Sequence, residues 1–307
     1  MTIQRIREIA RMLGFDACGF VRLKPVESEV QSRFCSWLLG GNHAGMSYLE
    51  RHLDMRADPR VMVKDARTAI VLLYSYKPSR QQPSLLPQVS AYAYGLDYHA
   101  VLKQLLGELR DNLQRENPGL SCRACVDTAP LHERYFAVQA GLGWIGKNGM
   151  LINRELGTQT FIATLMLSVD VRGDVLPPAP NLCGSCRRCL DACPSQALLG
   201  NGLLDSRRCL SYRTVEAHRA ANPRIAPVNA ALGYVFGCDV CQNVCPHSAS
   251  AKTCNHPEMQ LLPPLATLTA EGWQAMTDAE FERLFACSAI QRAGLEGMKK
   301  NVGDAMR

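Results

Sequence analysis

The most informative motif of this chain contains four cysteines and a proline: Cys183-Gly-Ser-Cys186-Arg-Arg-Cys189-Leu-Asp-Ala-Cys193-Pro194. Their spacing, C-x2-C-x2-C-x3-C-P, is that of bacterial ferredoxins, in which three thiolates bind one iron–sulfur cluster and the fourth binds a second cluster. A second run must therefore exist, and it is Cys238-Asp-Val-Cys241-Gln-Asn-Val-Cys245-Pro246. Because this run is one cysteine short, we expect Cys209, which lies between the runs, to supply the missing ligand.

The spacing predicts two [4Fe–4S] clusters, each bound by four cysteines. The first cysteine set is Cys183, Cys186, Cys189 and Cys245, and the second cysteine set is Cys193, Cys209, Cys238 and Cys241. Two zinc sites are the alternative, since eight cysteines could also bind two zinc ions. Zinc gives no reason for the x2-x2-x3 register or for proline after the last cysteine of both runs, so the clusters are favoured.

Length and composition limit the class of protein. A chain of 307 residues with 47% hydrophobic content is long enough for two or three domains with a large core. Fourteen cysteines with metal-type spacing and no signal peptide indicate a reducing, cytoplasmic location. No run of about 18 apolar residues is present, so we expect no membrane span. The net charge of +6 is compatible with a nucleic-acid partner without establishing one.

The order of segments predicts a mixed α+β fold with a layered sheet. We expect helices near 3–13, 30–38 and 102–113, and strands at 17–21, 69–74, 122–127 and 161–169. The predicted domains are an α/β-type domain over 1–175, a ferredoxin-like module over 176–256 and a helical segment over 257–307. Pro177-Pro178-Ala-Pro180 marks the linker between the first two.

Asp127 closes one of the predicted strands, and two interpretations of it remain open. Partial burial there would raise the pKa of the carboxyl and suit it to proton donation. Equally, Asp127-Thr-Ala-Pro130 could be an ordinary N-cap or Asx turn before a helix. Cys122 and Cys125 should point to opposite faces of the same strand, so we interpret that pair as structural. His99 alone is more typical of a satisfied surface or core histidine than of a ligand.

Two further patterns allow either a binding or a structural interpretation. Gly141, Gly143 and Gly146 could let backbone approach a flat cofactor or could form a turn. They follow a helical stretch rather than a strand, so a dinucleotide fold is not indicated. Four arginines could face an acidic ligand, but a solvated helix face is favoured; they are Arg207, Arg208, Arg213 and Arg219.

Electron transfer alone needs only about 60 to 80 residues, so the long first domain should hold the electron acceptor. Across nearly its whole length the chain resembles the epoxyqueuosine reductases. The matching motifs are Gly45-Met46-x-Tyr48-Leu49-x-Arg51-His52, Gly95-x-Asp97-Tyr98-His99, Val126-Asp127-Thr-Ala-Pro130, Ala140-Gly-Leu-Gly-Trp-Ile-Gly-Lys147, Arg208-Cys209-Leu-Ser211-Tyr212-x-Thr214 and Gly237-Cys238-Asp-Val-Cys-Gln242.

The resemblance implies a cobalamin- and iron–sulfur-dependent enzyme that reduces epoxyqueuosine to queuosine at the wobble position of a tRNA anticodon. A nitroreductase-like first domain would bind cobalamin, whose low-valent cobalt attacks the epoxide. Asp127 matches the family's proton donor. The positions matching motifs around the corrinoid are Arg51, Asp97, Tyr98, His99, Ser211 and Gln242. No glycine follows Asp97-Tyr-His99 at the spacing of proteins whose histidine replaces the cobalamin base, so that binding mode is not indicated.

The partners implied by the resemblance are the tRNA anticodon stem-loop and an external electron donor such as a flavodoxin or ferredoxin; we expect a monomer. Relatives usually carry Arg at the positions of Ala91 and Leu96, and many continue into helical repeats that help to hold tRNA. The RNA-binding cations should then include Arg207, Arg208, Arg213, Lys299 and Lys300. Two alternatives stay open: a corrinoid reductase of the reductive-dehalogenase type, and an electron-transfer protein without catalytic activity.

Overall fold

The computed structural model describes residues 1–63, 65–217 and 233–306. The strands are β1 (Ala17–Arg22), β2 (Thr68–Ser75), β3 (Gln88–Val89), β4 (Cys122–Cys125), β5 (Trp144–Ile145), β6 (Leu151–Ile152), β7 (Thr160–Leu167) and β8 (Tyr234–Phe236). The α-helices are α1 (Ile3–Met12), α2 (Ser28–Leu39), α3 (Leu53–Ala57), α4 (Tyr98–Glu116), α5 (Glu133–Gln139), α6 (Arg188–Ala192), α7 (Val240–Asn243), α8 (Pro246–Ser250), α9 (Ala270–Ala275), α10 (Asp278–Phe285) and α11 (Gly294–Ala305). A π-helix spans Tyr212–Glu216.

An antiparallel sheet with strand order β1-β2-β7-β4 forms the centre of the molecule. Successive residues of a strand point to opposite faces. Accordingly, Ile70 and Leu72 of β2 pack into one apolar cluster, and Val71 and Leu73 pack into another. A strand buried on both faces has a continuous apolar sequence. The predicted central strand over 69–74 is therefore confirmed.

Helices cover the two faces of the sheet. The first cluster contains residues of α1, α4 and the C-terminal helices, including Trp273 and Phe285, whose rings stack at 5.3 Å. The second contains Phe136 of α5. Cys122 packs against the first cluster and Cys125 lies in the second, so their predicted placement on opposite faces is confirmed.

Most predicted elements are present with shifted ends. The helix predicted over 30–38 spans Ser28–Leu39, with Gly40 as its C-cap. Helix α4 begins at Tyr98, before the predicted start at 102. Strand β4 ends at Cys125, so the prediction that it reached 127 is wrong. Its last two predicted residues enter a loop instead.

A short parallel pair, β3 with β8, connects the chain just before the second cysteine run to the segment between β2 and α4. Trp37 Nε1 donates to the Leu204 carbonyl oxygen at 2.7 Å, and Ser206 N donates to that of Asn42 at 2.8 Å. The apolar core is shared by residues before 175 and after 256. The domain boundaries at 175 and 256 stay predictions.

Among the residues described, no helix is long and apolar enough to cross a membrane.

Candidate active site and cysteine centres

Helix α4 brings the first group of polar side chains to one end of the sheet. Asp97 is its N-cap, and the carboxylate accepts the backbone N–H of His99 at 3.0 Å. The same carboxylate lies 2.8 Å from His99 Nδ1. An N-cap aspartate satisfies an otherwise unpaired helix N–H. Here it also fixes the orientation of the histidine ring, whose other nitrogen is left to face outward from the cap.

Asp127 meets that outward-facing nitrogen. The residue follows β4 in a loop, with a left-handed backbone (φ 53°), and its Oδ2 lies 3.1 Å from His99 Nε2. Helix α5 begins at Glu133 and its N-cap is His132, so the N-cap interpretation of Asp127 is wrong. The loop instead carries the carboxylate to His99, and the two sequence motifs that contain these residues form one site.

The charges of this pair differ from the sequence expectation. Burial raises the pKa of Asp127, but hydrogen bonding and the charge of His99 outweigh it, and the net pKa lies below its ordinary value. The prediction of a raised pKa for Asp127 is therefore wrong, because the sequence does not reveal the histidine partner. Burial lowers the pKa of His99, yet hydrogen bonds to Asp127 and Asp97 raise it to about 9. At neutral pH the proton of the pair resides on His99.

Glu133 is a member of the site to which the sequence pattern assigned no role. Its Oε1 accepts the backbone N–H of Asp127 at 2.8 Å. Burial and the nearby charge of Asp127 raise the pKa of Glu133 to about 8. Its side chain is therefore mostly protonated at neutral pH. We call Asp97, Tyr98, His99, Asp127 and Glu133 the Asp127 site.

A second charged group borders the Asp127 site. Arg292 forms a two-point contact with Glu216, with Nε–Oε1 at 2.8 Å and Nη2–Oε2 at 3.0 Å. The charge of Arg292 also lowers the pKa of Asp127. Burial, followed by the charge of Glu216, raises the pKa of Tyr48 to about 12. These residues come from three distant segments, and sequence spacing gave no signal of their meeting.

Aromatic rings connect the Asp127 site to the second cysteine run. Tyr98 stacks on His99 at 4.0 Å and on Phe161 at 4.2 Å. Phe161 packs on Tyr76 at 4.5 Å, and the Tyr76 hydroxyl donates to Gln242 Oε1 at 3.1 Å. Gln242 directly follows Cys241. A continuous chain of contacts therefore runs from the second cysteine run to Asp127.

The first cysteine set lines one cavity near the surface. The cavity has a volume of about 60 Å³, and all four of these cysteines line it, together with Arg188 and His247. Lys147 Nζ donates to the carbonyl oxygens of Gly184 at 2.7 Å and Cys186 at 2.9 Å, which holds the cysteine loop. Four cysteines that line one cavity supply the number and type of ligands that a [4Fe–4S] cluster needs.

The four partly buried cysteines of the second set also lie near one another. Cys193 and Cys209 lie within electrostatic reach of both Cys238 and Cys241. Burial raises the pKa of Cys238 to about 12 and that of Cys209 above its usual value. Thiolates at these positions therefore need the positive charge of bound iron. The backbone N–H of Ala197 donates to Cys193 Sγ at 3.3 Å, as suits a thiolate ligand.

The predicted corrinoid contacts separate into two kinds. Asp97, Tyr98 and His99 belong to the Asp127 site, whereas Gln242 is buried and also donates to Asp239 Oδ1 at 3.1 Å. The side chains of Arg51 and Ser211 have no polar partner among the described residues. Their segments approach one another, since Gly45 N donates to the Tyr212 hydroxyl at 2.9 Å.

The glycines around Trp144 fit the turn interpretation. Gly141 and Gly143 have φ of 72° and 152°, and Trp144 is buried in the hairpin of β5 and β6. Of the predicted arginine face, Arg207 pairs with Asp205 at 2.8 Å and Arg213 with Asp304 at 3.3 Å. Arg219 lies outside the described residues.

Comparison with known proteins agrees with this geometry. Residues 56–128 match the family described as epoxyqueuosine reductase QueG, DUF1730, and residues 182–248 match the 4Fe-4S double cluster binding domain. The epoxyqueuosine reductase of Cellulophaga algicola is 37% identical over 297 residues, covering 97% of this chain and 95% of its own. The chain belongs to the epoxyqueuosine reductase family. The resemblance predicted from the motifs is confirmed, as is its class, an iron–sulfur oxidoreductase.

Solved structures of family members have the same fold. One is an epoxyqueuosine reductase with an epoxyqueuosine-modified tRNA-Tyr stem-loop (TM-score 0.84, 26% identity), which covers 99% of this chain and 80% of that one. Another is the Bacillus subtilis enzyme, with its catalytic aspartate loop swung out of the active site (TM-score 0.85, 26% identity). It likewise covers 99% of this chain and 80% of that chain. The mixed helix-and-sheet fold class is confirmed.

Proposed function

We propose that this protein reduces epoxyqueuosine to queuosine in the anticodon of tRNA, with cobalamin and two [4Fe–4S] clusters as cofactors. The observation that carries the proposal is the chain of contacts from Asp127 through His99 and Tyr98 to the second cysteine run. It joins a proton-handling pair to an electron-transfer module. Loss of an epoxide oxygen as water requires both protons and electrons, so the two parts suit one reaction.

Asp127 and His99 would supply the proton. With the pKa of His99 raised to about 9 and that of Asp127 lowered, the pair carries one proton at neutral pH, on His99. His99 donates that proton towards Asp127 Oδ2, and Asp97 holds the imidazole from the other side. As negative charge develops on the opening epoxide oxygen, the proton moves from His99 Nε2 to Asp127 Oδ2 and from the Asp127 carboxyl to that oxygen, which leaves His99 neutral and Asp127 ionised. Asp127 is the catalytic acid in this proposal, and His99 is its reservoir.

Cobalamin would lie against the Asp127 site. When bound, it supplies a strongly reducing metal centre for opening the epoxide ring. The Tyr98 ring stacks between His99 and Phe161 and so supports the His99 edge of the proposed cofactor site, while Arg51 and Ser211 offer polar groups that have no partner in the described part of the chain. Asp97, His99 and Gln242 complete the proposed contacts. These residues suit a large cofactor with a polar edge because Arg51 and Ser211 can donate hydrogen bonds that no described residue accepts.

Electrons would enter at the first cysteine set and leave from the second. Lys147, Arg188 and His247 line the cavity of the first set, and the Arg187 side chain is 66% exposed beside it. Asp191 is the carboxylate that faces Arg187, at 3.4 Å. Leu182, 44% exposed, adds an apolar contact point. This basic surface suits an acidic one-electron carrier of the flavodoxin or ferredoxin type, because opposite charges speed encounter.

The RNA phosphates would be bound by lysine and arginine side chains that form no ion pair with a carboxylate. Arg213 and Lys300 both pair with Asp304, and Arg207 pairs with Asp205. In the described part of the chain, the side chains of Arg208 and Lys299 have no such partner. We therefore assign phosphate contacts to Arg208 and Lys299 first. The monomeric state and the cytoplasmic location stay predictions.

Metal content and binding test this proposal before any turnover assay. The protein, purified without oxygen and reconstituted with iron, sulfide and cobalamin, should hold about eight irons per chain in two cubanes. Cobalt should be present in equimolar amount with the chain. Full iron with no retained cobalt would contradict the corrinoid assignment and favour an electron carrier. Cobalt retention with no affinity for the modified stem-loop would contradict the RNA substrate.

A further inference from the structure

The side chain of Glu133 accepts a hydrogen bond from the backbone of Asp127, which lies outside its own helix. Glu133 is the first residue of α5, and its side chain reaches back across the loop to the N–H of a residue six positions earlier. Helix α5 is anchored in the second apolar cluster through Phe136. The bond therefore connects the loop after β4 to a helix that packs in the core, and loops are in general the more mobile elements.

Asp127 needs such a restraint. Its left-handed backbone is unfavourable for a residue with a side chain, so the surrounding contacts must maintain it. The Asp127 side chain is 54% exposed, and its carboxylate is held by His99. Glu133 holds the opposite end, the backbone N–H. Together the two contacts determine both where the residue lies and where its carboxylate points.

The protonation of Glu133 suits this role. Burial and the charge of Asp127 raise the pKa of Glu133 to about 8, so at neutral pH it adds little negative charge beside the Asp127 carboxylate. A protonated carboxyl still has a carbonyl oxygen that can accept an N–H. Glu133 can therefore restrain the loop without opposing the charge of the catalytic residue.

In one relative a catalytic loop has been observed outside the active site. The Bacillus subtilis epoxyqueuosine reductase has been solved with its catalytic aspartate loop swung out of the active site. We propose that Glu133 is a positioning residue, which holds loop 126–132 in the conformation where the Asp127 carboxylate faces His99 and Tyr98. This inference rests on the proposed function for the part that concerns turnover.

Two substitutions separate positioning from other roles. Glu133→Gln keeps a carbonyl acceptor at the same distance and removes the acid, whereas Glu133→Ala removes both. Measured by hydrogen exchange in the reconstituted protein, the amides of 126–132 should exchange about five- to tenfold faster in Glu133→Ala, the effect of one lost hydrogen bond. They should be unchanged in Glu133→Gln. Turnover should follow the same order, with kcat reduced in the alanine variant and rescued in the glutamine variant.

The matched control is Glu280→Ala in α10. Glu280 also accepts a backbone N–H, that of Thr277 at 2.9 Å, but it lies in the C-terminal helices. That variant should leave exchange in 126–132 unchanged. Unchanged exchange in Glu133→Ala would overturn the proposal, and so would glutamine and alanine variants with equally low kcat, which would indicate a proton source. The exchange result needs no substrate, so it stands even if the proposed RNA substrate is wrong.

Discussion

The two cysteine sets have the same ligands but different surroundings. The first lines a cavity bordered by the exposed Arg188 and the partly exposed Lys147. The cysteines of the second set are partly buried; desolvation raises the pKa of Cys238 to about 12, and the set adjoins Gln242, which contacts Tyr76. From this difference we infer a direction for the proposed electron path: electrons would enter at the first set, whose cavity a partner can reach, and leave from the second set, which is connected to the Asp127 site.

The largest effect on turnover should come from removing a ligand of the second cysteine set. Cys209→Ala should lower iron from about eight towards about four per chain and abolish turnover, because one cubane is lost. Cys186→Ala, the matched change in the first cysteine set, should lose a similar amount of iron. It should keep turnover driven by a small chemical reductant while losing turnover driven by flavodoxin. Full iron in Cys209→Ala would contradict the ligand assignment. Equal turnover of the two variants with each reductant would contradict the proposed path of electrons from the first cysteine set to the second.

Next in size is the loss of the proton donor. Asp127→Ala should retain iron and cobalt but reduce turnover on an epoxyqueuosine-containing stem-loop by at least about 100-fold, as expected for a missing general acid. Asp170→Ala, at an exposed carboxylate paired with Arg67, is the control and should remain active. Normal turnover by Asp127→Ala would show that Asp127 is not the acid.

The pH dependence tests the proton reservoir. The pKa of His99 is raised to about 9, so its proton is fully present at neutral pH and is lost as pH rises through that value. We expect kcat/KM to fall about tenfold per pH unit above pH 9. His99→Gln, which cannot carry the proton, should remove this step and lower the plateau. A wild-type profile that is flat through pH 9 to 10 would contradict the reservoir.

The smallest predicted effect concerns the outer surface. Reversing two charges, in the double variant Arg187→Glu and Arg188→Glu, should slow reduction by an acidic flavodoxin about tenfold at low salt. The difference should shrink at high salt because surface charges are screened. Reduction by a neutral small-molecule reductant should be unchanged. The double variant Arg110→Glu and Arg115→Glu on α4 is the control; an equal loss there would indicate a general charge effect instead of docking.

Much of the cysteine module could be predicted from sequence because cluster chemistry imposes ligand spacing. Cys209 lies outside both runs, and counting ligands predicts that it joins Cys238 and Cys241; the structure brings it within electrostatic reach of both, and its role as a ligand stays a prediction. The central strand over 69–74 could also be predicted, because a strand that is buried on both faces has a continuous apolar sequence.

The Asp127 site was only partly predictable, because long-range contacts determine its electrostatics. The motifs identified Asp127 and His99, but not that they touch, and the pKa of Asp127 was expected to shift in the opposite direction. Glu133 accepts a backbone N–H, and Arg292 joins from near the end of the chain. Neither contact leaves a spacing pattern in the sequence, so only the folded chain could reveal them.

The most direct test of the account is conversion of an epoxyqueuosine-containing anticodon stem-loop, followed by mass spectrometry of the nucleosides. The reaction would contain the iron-loaded protein and a reductant, with or without cobalamin. We predict that queuosine forms only when cobalamin is present. Queuosine formation without cobalamin, or none with both cofactors bound, would contradict the proposed function.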